Sequence, residues 1–150
     1  MRVAPVVALA ASLLLPALAH AGPDALVGTW MTDEGESKIR IAPCGKVFCG
    51  TIVWAKTNGL DTHNPDPNER KRSIIGLTLT KDMRPAKAGL WEGSIYNPEN
   101  GKTYAVTMQT KGADKLEVEG CVLGVLCGSD TWARQNEETA SAAPIIPSRP

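Results

Sequence analysis

The sequence predicts an all-β fold, a small antiparallel up-and-down β-barrel of about eight strands. Apolar and polar residues alternate along several segments, as at Tyr104, Val106 and Met108, which is the period of a half-buried strand. Glycine, proline and asparagine residues separate these segments at short intervals, as turns require. Beyond the N-terminal apolar run, no segment has a long helical period. Consecutive hairpins favour a barrel over a sandwich.

The candidate strands follow one another in chain order, and each ends at turn residues. They lie near residues 27–32, 37–42, 47–55, 74–80, 90–96, 102–110, 115–121 and 127–134. The segments 97–101 and 111–114 have the composition of hairpin turns. An eight-stranded barrel either fills its interior with side chains or holds one small ligand, and the sequence leaves both arrangements open.

Residues 1–21 have the features of a cleavable secretion signal. Arg2 precedes an apolar run, and Ala19-His20-Ala21 matches the small-x-small pattern before a cleavage site. The alternative is a retained membrane anchor, but the uninterrupted apolar part is short for a span. We therefore expect an exported protein with no stable membrane span after signal cleavage.

The remaining chain divides into a folded domain and a tail. Residues 22–134 carry the strand pattern, whereas residues 135–150 are rich in alanine, serine, glutamate and proline and are expected to be disordered. The whole chain has 16 basic and 16 acidic residues, and the signal contains one of the basic ones, Arg2. Because no basic excess remains, no nucleic-acid partner is expected.

Four cysteines form two close pairs, Cys44 with Cys49 and Cys121 with Cys127. Export makes disulfides their default state, and a hairpin can bridge each short span. Of the three connectivities that four cysteines allow, we favour the one with two local bridges. A redox pair would need C-x-x-C spacing, and both the spacing and the oxidising compartment argue against a zinc site. We therefore expect no metal and no cofactor.

A tryptophan follows each second cysteine at the same distance. Trp54 comes five residues after Cys49, and Trp132 comes five residues after Cys127. An odd spacing places the two side chains on opposite faces of a regular strand. The pattern predicts inward tryptophans and disulfides on the outer surface, unless a bulge at the glycine after each cysteine reverses the faces.

The two ends of the domain carry a closure motif. Gly28-Thr29-Trp30 on the first strand, with Trp132 and Arg134 on the last, resembles the closure of lipocalin-type barrels, in which the arginine lies over the tryptophan where these strands meet. An arginine on an indole face forms a cation–π contact and also covers apolar surface.

A longer series of motifs resembles one bacterial family. The motifs are CGKVFCGTIVW at 44–54, NPD at 64–66, GL at 76–77, WEGSIYNP at 91–98, GKTY at 101–104, GC at 120–121 and TWAR at 131–134. In that order they resemble a bacterial envelope family catalogued as domain of unknown function 2147. The resemblance implies a lipocalin-like, periplasmic protein, secreted across the inner membrane, with no established activity. The chain departs from the family in a shorter loop at residues 56–72 and in Ser73, where the family tends to have proline.

Six residues are candidates for the wall of an interior cavity. They are apolar or aromatic and would share the inner face of the barrel: Trp54, Trp91, Ile95, Tyr104, Val106 and Met108. Such a wall predicts a small apolar or amphipathic ligand, with the Tyr104 hydroxyl as a polar anchor. The alternative is a filled barrel in which the same residues are ordinary core.

The loop after the third strand gathers most of the polar chemistry. Asn64, Asp66 and Arg70 are its candidate functional residues. Its Asp and Asn oxygens could hold calcium, but their spacing fits no calcium loop, and Asx-Pro sequences are good turn formers. His63 is the only histidine after the signal, which leaves little from which to build a metal site or a catalytic triad. The best functional interpretation is a lid over the barrel mouth.

Together these observations predict an exported, non-catalytic protein that binds a small apolar or amphipathic molecule in a β-barrel. The alternative is an envelope interaction or structural protein with a filled barrel that acts through its surface loops. No protein partner is indicated by the sequence. An enzyme is the third hypothesis, because no nucleophile–base pair can be identified; loss of a residual activity on replacement of Asp66 or His63 would support it.

Overall fold

The computed structural model describes residues 22–123 and 125–136, in which eight antiparallel strands form a closed barrel. The strands are β1 (Gly28–Met31), β2 (Ser37–Cys44), β3 (Val47–Ala55), β4 (Thr78–Lys87), β5 (Leu90–Asn97), β6 (Lys102–Lys111), β7 (Lys115–Val122) and β8 (Leu126–Gln135). Each strand pairs with the next, and β8 pairs with β1. Short 3₁₀ helices span Pro23–Leu26, before β1, and Pro67–Glu69, between β3 and β4. This architecture confirms the predicted all-β up-and-down barrel.

Two predicted segments fall mainly where the structure gives no description. The secretion signal at residues 1–21 and most of the tail at residues 135–150 lie outside the described residues. β8 itself continues to Gln135, one residue beyond the predicted end of the domain. No helix in the described part of the chain is long and apolar enough to cross a membrane.

The fourth strand is the one whose predicted position is wrong. The sequence predicted residues 74–80, but β4 begins at Thr78 and continues to Lys87. The apolar residues before it belong to a loop segment that still bonds to β3: Gly76 N–H donates to the Ile52 carbonyl at 2.8 Å, and the Leu77 carbonyl accepts from Ile52 at 3.0 Å. The second half of β4 is polar, exposed and irregular in register, so its sequence lacks the alternation of a strand.

The strand connections alternate between the two ends of the barrel. The β1–β2, β3–β4, β5–β6 and β7–β8 connections lie at one end, which we call the mouth. The other three hairpins and the N-terminal 3₁₀ helix lie at the closed end. The core is built from buried apolar side chains of the inner faces and of the N-terminal helix, among them Leu26, Trp30, Ile41, Met83, Trp91, Met108, Leu116 and Trp132. Burial of three indoles in so small a domain supplies much of its apolar stabilisation.

Arg134 joins the last strand to the first at the closed end. Its guanidinium carbon lies 4.1 Å from the centroid of the Trp30 ring. Its nitrogens donate to the backbone carbonyls of Ala25 at 2.7 Å, Val27 at 2.8 Å and Ala113 at 2.7 Å. A Cβ at Gly28 would collide with this guanidinium, which explains why the closure motif begins with glycine.

The two disulfides join Cys44 to Cys49 and Cys121 to Cys127, which confirms the local connectivity. The first lies at the β2–β3 hairpin of the closed end, and the second pairs β7 with β8 just below the mouth. The neighbours of Cys49, Phe48 and Gly50, are buried, so Cys49 faces outward. Both bridges therefore brace hairpins from the outer surface of the barrel.

Candidate functional site

A cavity of about 680 Å³ occupies the mouth half of the barrel. Its apolar walls come from the inner faces of strands on both sides of the barrel, namely Ile39, Ile52, Ile95, Val106 and Val118. Its rim comes from the mouth connections, including Thr32, Thr57, Ile74 and Pro98. This volume is in the range of small-molecule sites, which are mostly apolar with a few placed polar groups. The barrel is therefore filled in its closed half and hollow in its mouth half.

The six residues predicted to form one cavity wall separate into three groups. Ile95, Tyr104 and Val106 line the cavity. Trp91 and Met108 face the interior as predicted but are buried in the closed half. Cross-strand pairing places Trp91 opposite Met108, and Gly93 opposite Val106, so the interior stripe is continuous across β5 and β6. Only the mouth half of that stripe meets the cavity.

The prediction that Trp54 faces the interior is wrong. In the pairing of β2 with β3, Lys38 lies opposite Trp54 but Ile39 lies opposite Ile52, so Val53 is an extra residue. This bulge reverses the inward and outward faces for the rest of β3. Trp54 is consequently 40% exposed, with the Lys38 ammonium 5.5 Å from its ring centroid, and Ala55 lines the cavity instead.

Two glycines opposite each other on β7 and β8 leave room for the cavity. Gly120 pairs with Gly128, and both line the cavity wall. A Cβ at Gly128 would meet nothing within 4 Å, and one at Gly120 would meet only the Ala105 carbonyl oxygen, at 4.0 Å. Side chains at these two positions would project into space that the glycines leave open.

The described residues that line the cavity carry formal charge at three positions, and all three are acidic. They are Glu36 in the β1–β2 connection, Glu99 in the β5–β6 hairpin and Asp130 on β8. Glu36 pairs with Lys56 at 3.3 Å, on the exposed surface. Asp130 is the next inward position above the buried Trp132 and lies opposite Val118. Sequence reasoning missed Asp130, although its even spacing from the inward Trp132 could have indicated it.

The β3–β4 connection is anchored at the mouth by a buried carboxylate. Asp61 is fully buried; its Oδ1 accepts from the Tyr96 hydroxyl at 2.6 Å, and its Oδ2 accepts from Asn64 at 2.7 Å and from Arg72 at 3.3 Å. Burial alone would raise the pKa of Asp61, but these hydrogen bonds and the Arg72 charge outweigh it and lower the pKa below its ordinary value. Burial and the neighbouring Asp61 raise the pKa of Tyr96 to about 12. Tyr96 also lines the rim of the cavity.

The predicted loop residues Asn64, Asp66 and Arg70 lie together next to this anchor. Asn64 Oδ1 accepts from the Asp66 backbone N–H at 2.8 Å, and Arg70 Nε donates to the Asn64 carbonyl at 2.8 Å. Asp66 Oδ1 accepts from the Asn68 backbone N–H at 2.9 Å, at the start of the short 3₁₀ helix. Side-chain oxygens of Asp61, Asn64 and Asp66, which could have been calcium ligands, thus accept hydrogen bonds from protein donors. The arrangement is that of the predicted Asx turns.

One group in the described part of the chain has the side-chain types of a metal site, Glu119 with Cys121 and Cys127. Both cysteines form the β7–β8 disulfide, so their sulfurs are not the thiolates that bind metal ions. Two buried polar atoms of the core, Thr80 Oγ1 and Trp91 Nε1, have no hydrogen-bond partner among the described residues.

The comparisons with known proteins agree with this structure. A solved structure described as "Protein HP1028 from the human pathogen Helicobacter pylori belongs to the lipocalin family" is similar, with a TM-score of 0.69 and 24% sequence identity. The match covers 76% of this chain and 85% of that one, and it shows the shared lipocalin-type fold. No curated protein matches the chain.

The sequence profile of a bacterial family matches residues 28–134, which is the whole barrel apart from its last residue. That family is described as an uncharacterized protein conserved in bacteria (DUF2147). The match confirms the family expected from the motifs, and the chain belongs to this DUF2147 family.

Proposed function

We propose that the protein is an exported, periplasmic binding protein that holds a small apolar or amphipathic molecule in the mouth half of its barrel. The cavity carries this proposal, because a well-packed domain of this size rarely leaves such a volume in an apolar interior. The fold shared with a lipocalin-family protein supports it, and two disulfides in a bacterial family support export. The function requires no catalysis.

The test is a cavity-filling substitution with a matched control. Gly128→Phe places an aromatic ring in the cavity, at a position where an added Cβ meets nothing within 4 Å. Thr131→Phe adds the same ring on the outer face of the same strand, where Thr131 is exposed. Binding is followed by the fluorescence of the uncharged apolar dye N-phenyl-1-naphthylamine.

We expect Gly128→Phe to weaken dye binding about tenfold or more, equivalent to about 1.4 kcal/mol, and Thr131→Phe to leave it unchanged. Thermal unfolding of both variants shows whether the fold is retained. Equal dye binding by the wild type and a folded Gly128→Phe variant would refute the proposal, because the dye would then bind elsewhere.

A second function, docking through the surface loops, is favoured by a different observation. Every large apolar side chain that is markedly exposed in the described residues lies at the mouth end: Val53, Trp54, Leu60, Ile75, Val122, Leu123, Val125 and Leu126. Leu123 and Val125, at the β7–β8 tip, are 91% and 78% exposed. Apolar patches of this kind mark interaction surfaces.

The two functions respond to different substitutions. Leu123→Asn together with Val125→Asn makes the β7–β8 tip polar without changing the cavity wall. If the protein acts by docking, these changes abolish a cross-link to a partner protein in cells, while Gly128→Phe leaves that cross-link intact. If the same cross-link survives the tip changes, the docking function is wrong.

A further inference from the structure

We propose that the preferred ligand is an amphipathic molecule with a cationic polar end, such as an alkylamine or alkylammonium compound, and that Asp130 receives the positive charge. This inference rests on the proposed function, since it specifies the ligand class of the same cavity. It begins from the distribution of charge around the wall. The described lining residues include Glu36, Glu99 and Asp130 but no lysine, arginine or histidine.

β8 differs from the strands that supply most of the apolar wall of the cavity. Ile39 and Ile52 come from β2 and β3, and Val106 and Val118 from β6 and β7, so these strands form an apolar surface. β8 contributes no large apolar side chain to the cavity; its lining residues are Gly128, Ser129 and Asp130. A ligand with an apolar chain and one charged group matches this division, with the charge toward β8.

Asp130 is the carboxylate best placed to select the charge of the ligand. Trp132, the next inward residue of the strand, is buried in the core, so Asp130 is the deepest of the three β8 residues that line the cavity. Within residues 22–123 and 125–136, no salt bridge involves Asp130, whereas Glu36 already pairs with Lys56. Among the described residues, Asp130 therefore keeps its charge unpaired toward the lumen.

Aromatic rings add a second feature suited to a cation. Tyr104 and Tyr96 both line the cavity. Ammonium groups bind aromatic faces through cation–π attraction, and a carboxylate together with aromatic rings is the usual chemistry of ammonium recognition. A fatty acid would instead bring its carboxylate into a cavity whose charges have the same sign, which electrostatic repulsion disfavours.

The experiment compares three probes with the same alkyl chain: dodecylamine, dodecanol and dodecanoate. Their affinities are measured for the full-length protein at neutral pH by displacement of N-phenyl-1-naphthylamine. Because Asp130 is exposed, the preference for the amine over the carboxylate should be moderate, about five- to tenfold at low salt, and smaller at high salt.

Two variants assign the preference to one carboxylate. Asp130→Asn should remove most of the preference, by weakening amine binding while dodecanol binding stays within about twofold of the wild type. Glu119→Gln is the control, because it removes an exposed acidic charge from the neighbouring strand, outside the cavity.

The outcomes separate the inference from the function on which it rests. If dodecanoate binds as well as dodecylamine, or if Glu119→Gln and Asp130→Asn reduce the preference equally, the cationic ligand class is wrong and the binding function stands. If the dye binds but none of the three probes displaces it, the cationic ligand class is wrong. If the dye itself does not bind, the proposed function fails as well.

Discussion

The Tyr96 hydroxyl donates a 2.6 Å hydrogen bond to Oδ1 of Asp61, a residue 35 positions earlier in the chain. Tyr96 is near the mouth end of β5, and Asp61 is in the long β3–β4 connection. The bond therefore fastens this connection to the barrel wall at the rim of the cavity. Two further donors, Asn64 and Arg72, also form hydrogen bonds with this carboxylate, which is entirely buried.

Replacement of Tyr96 by phenylalanine should release this anchor. The buried Asp61 carboxylate loses one of its three donors, and a hydrogen bond to a charged group is worth about 2 kcal/mol. We expect the free energy of unfolding, measured with urea, to fall by about that amount. Tyr104→Phe is the control, because its hydroxyl only accepts an exposed hydrogen bond from Asn100. If both variants lose the same free energy of unfolding, the hydrogen bond to Asp61 does not stabilise the protein more than an exposed one.

The same carboxylate should make stability depend on pH in the acid range. The pKa of Asp61 is lower in the folded protein than its ordinary value, so the folded state favours the ionised form. Its contribution to stability is present above the unfolded-state pKa of about 3.9 and is lost as pH falls through the folded-state value. We expect the stability difference between wild type and Asp61→Asn to be largest near neutral pH and to shrink below about pH 4. A difference that stays constant from pH 7 to pH 3 in urea titrations would contradict this.

Arg134 should matter far more for stability than the other cation placed over an indole. Arg134→Met keeps an apolar stem but removes a close cation–π contact and the donors to three backbone carbonyls. The expected loss is about 3 kcal/mol. Lys38→Met removes the more distant cation above the exposed Trp54 ring and should cost less than about 0.5 kcal/mol. Urea unfolding of the two variants tests the contrast, which fails if Lys38→Met costs as much.

The closure and the two disulfides could be predicted because short sequence patterns mark them. Gly28-Thr29-Trp30 and Trp132 with Arg134 form the closure motif, and each disulfide joins cysteines within one hairpin. The orientation of Trp54 could not be predicted, because a single extra residue at Val53 reverses the faces of the strand. The position of such a bulge depends on the register between β3 and its neighbouring strands, and the local sequence pattern does not specify that register.

The polar parts of the candidate site were harder to predict for a second reason. Asp61 and Tyr96 are far apart in sequence and meet only because the β3–β4 connection folds back on β5. Asp130 differs, since its alternation with Gly128 and Trp132 already places it on the inner face. An inward carboxylate is a candidate binding residue only where the barrel is hollow, and the sequence left open whether the interior was filled.

Thr80 offers a substitution that should stabilise the protein. Its side chain is fully buried, and its hydroxyl has no hydrogen-bond partner among the described residues. An unsatisfied buried hydroxyl costs about 1–3 kcal/mol, and valine has nearly the same shape without the polar atom. Thr80→Val should therefore raise the free energy of unfolding by about 1 kcal/mol. Thr78→Val, at a partly exposed position of the same strand, is the comparison and should be close to neutral. A loss of stability in Thr80→Val would mean that the hydroxyl is satisfied in solution.

The contact between the β3–β4 connection and the β5–β6 hairpin can be isolated with a pair of glycines. Gly101 and Gly112 both occupy hairpin turns with positive φ, 69° and 73°, so alanine suffers the same backbone strain at each. A Cβ at Gly101 would also collide with the backbone carbonyl of His63, whereas one at Gly112 meets nothing within 4 Å.

Gly112→Ala should cost about 1–2 kcal/mol, the penalty for a left-handed alanine. Gly101→Ala should cost about 1 kcal/mol more, because the connection must shift away from the hairpin. Gly101→Ala should also make the β3–β4 connection more sensitive to proteolysis after Arg70 or Lys71. The shift of this connection would weaken the nearby hydrogen bond between Arg72 and Asp61. Equal stability and equal proteolysis of the two variants would show that His63 does not hold this connection against the mouth.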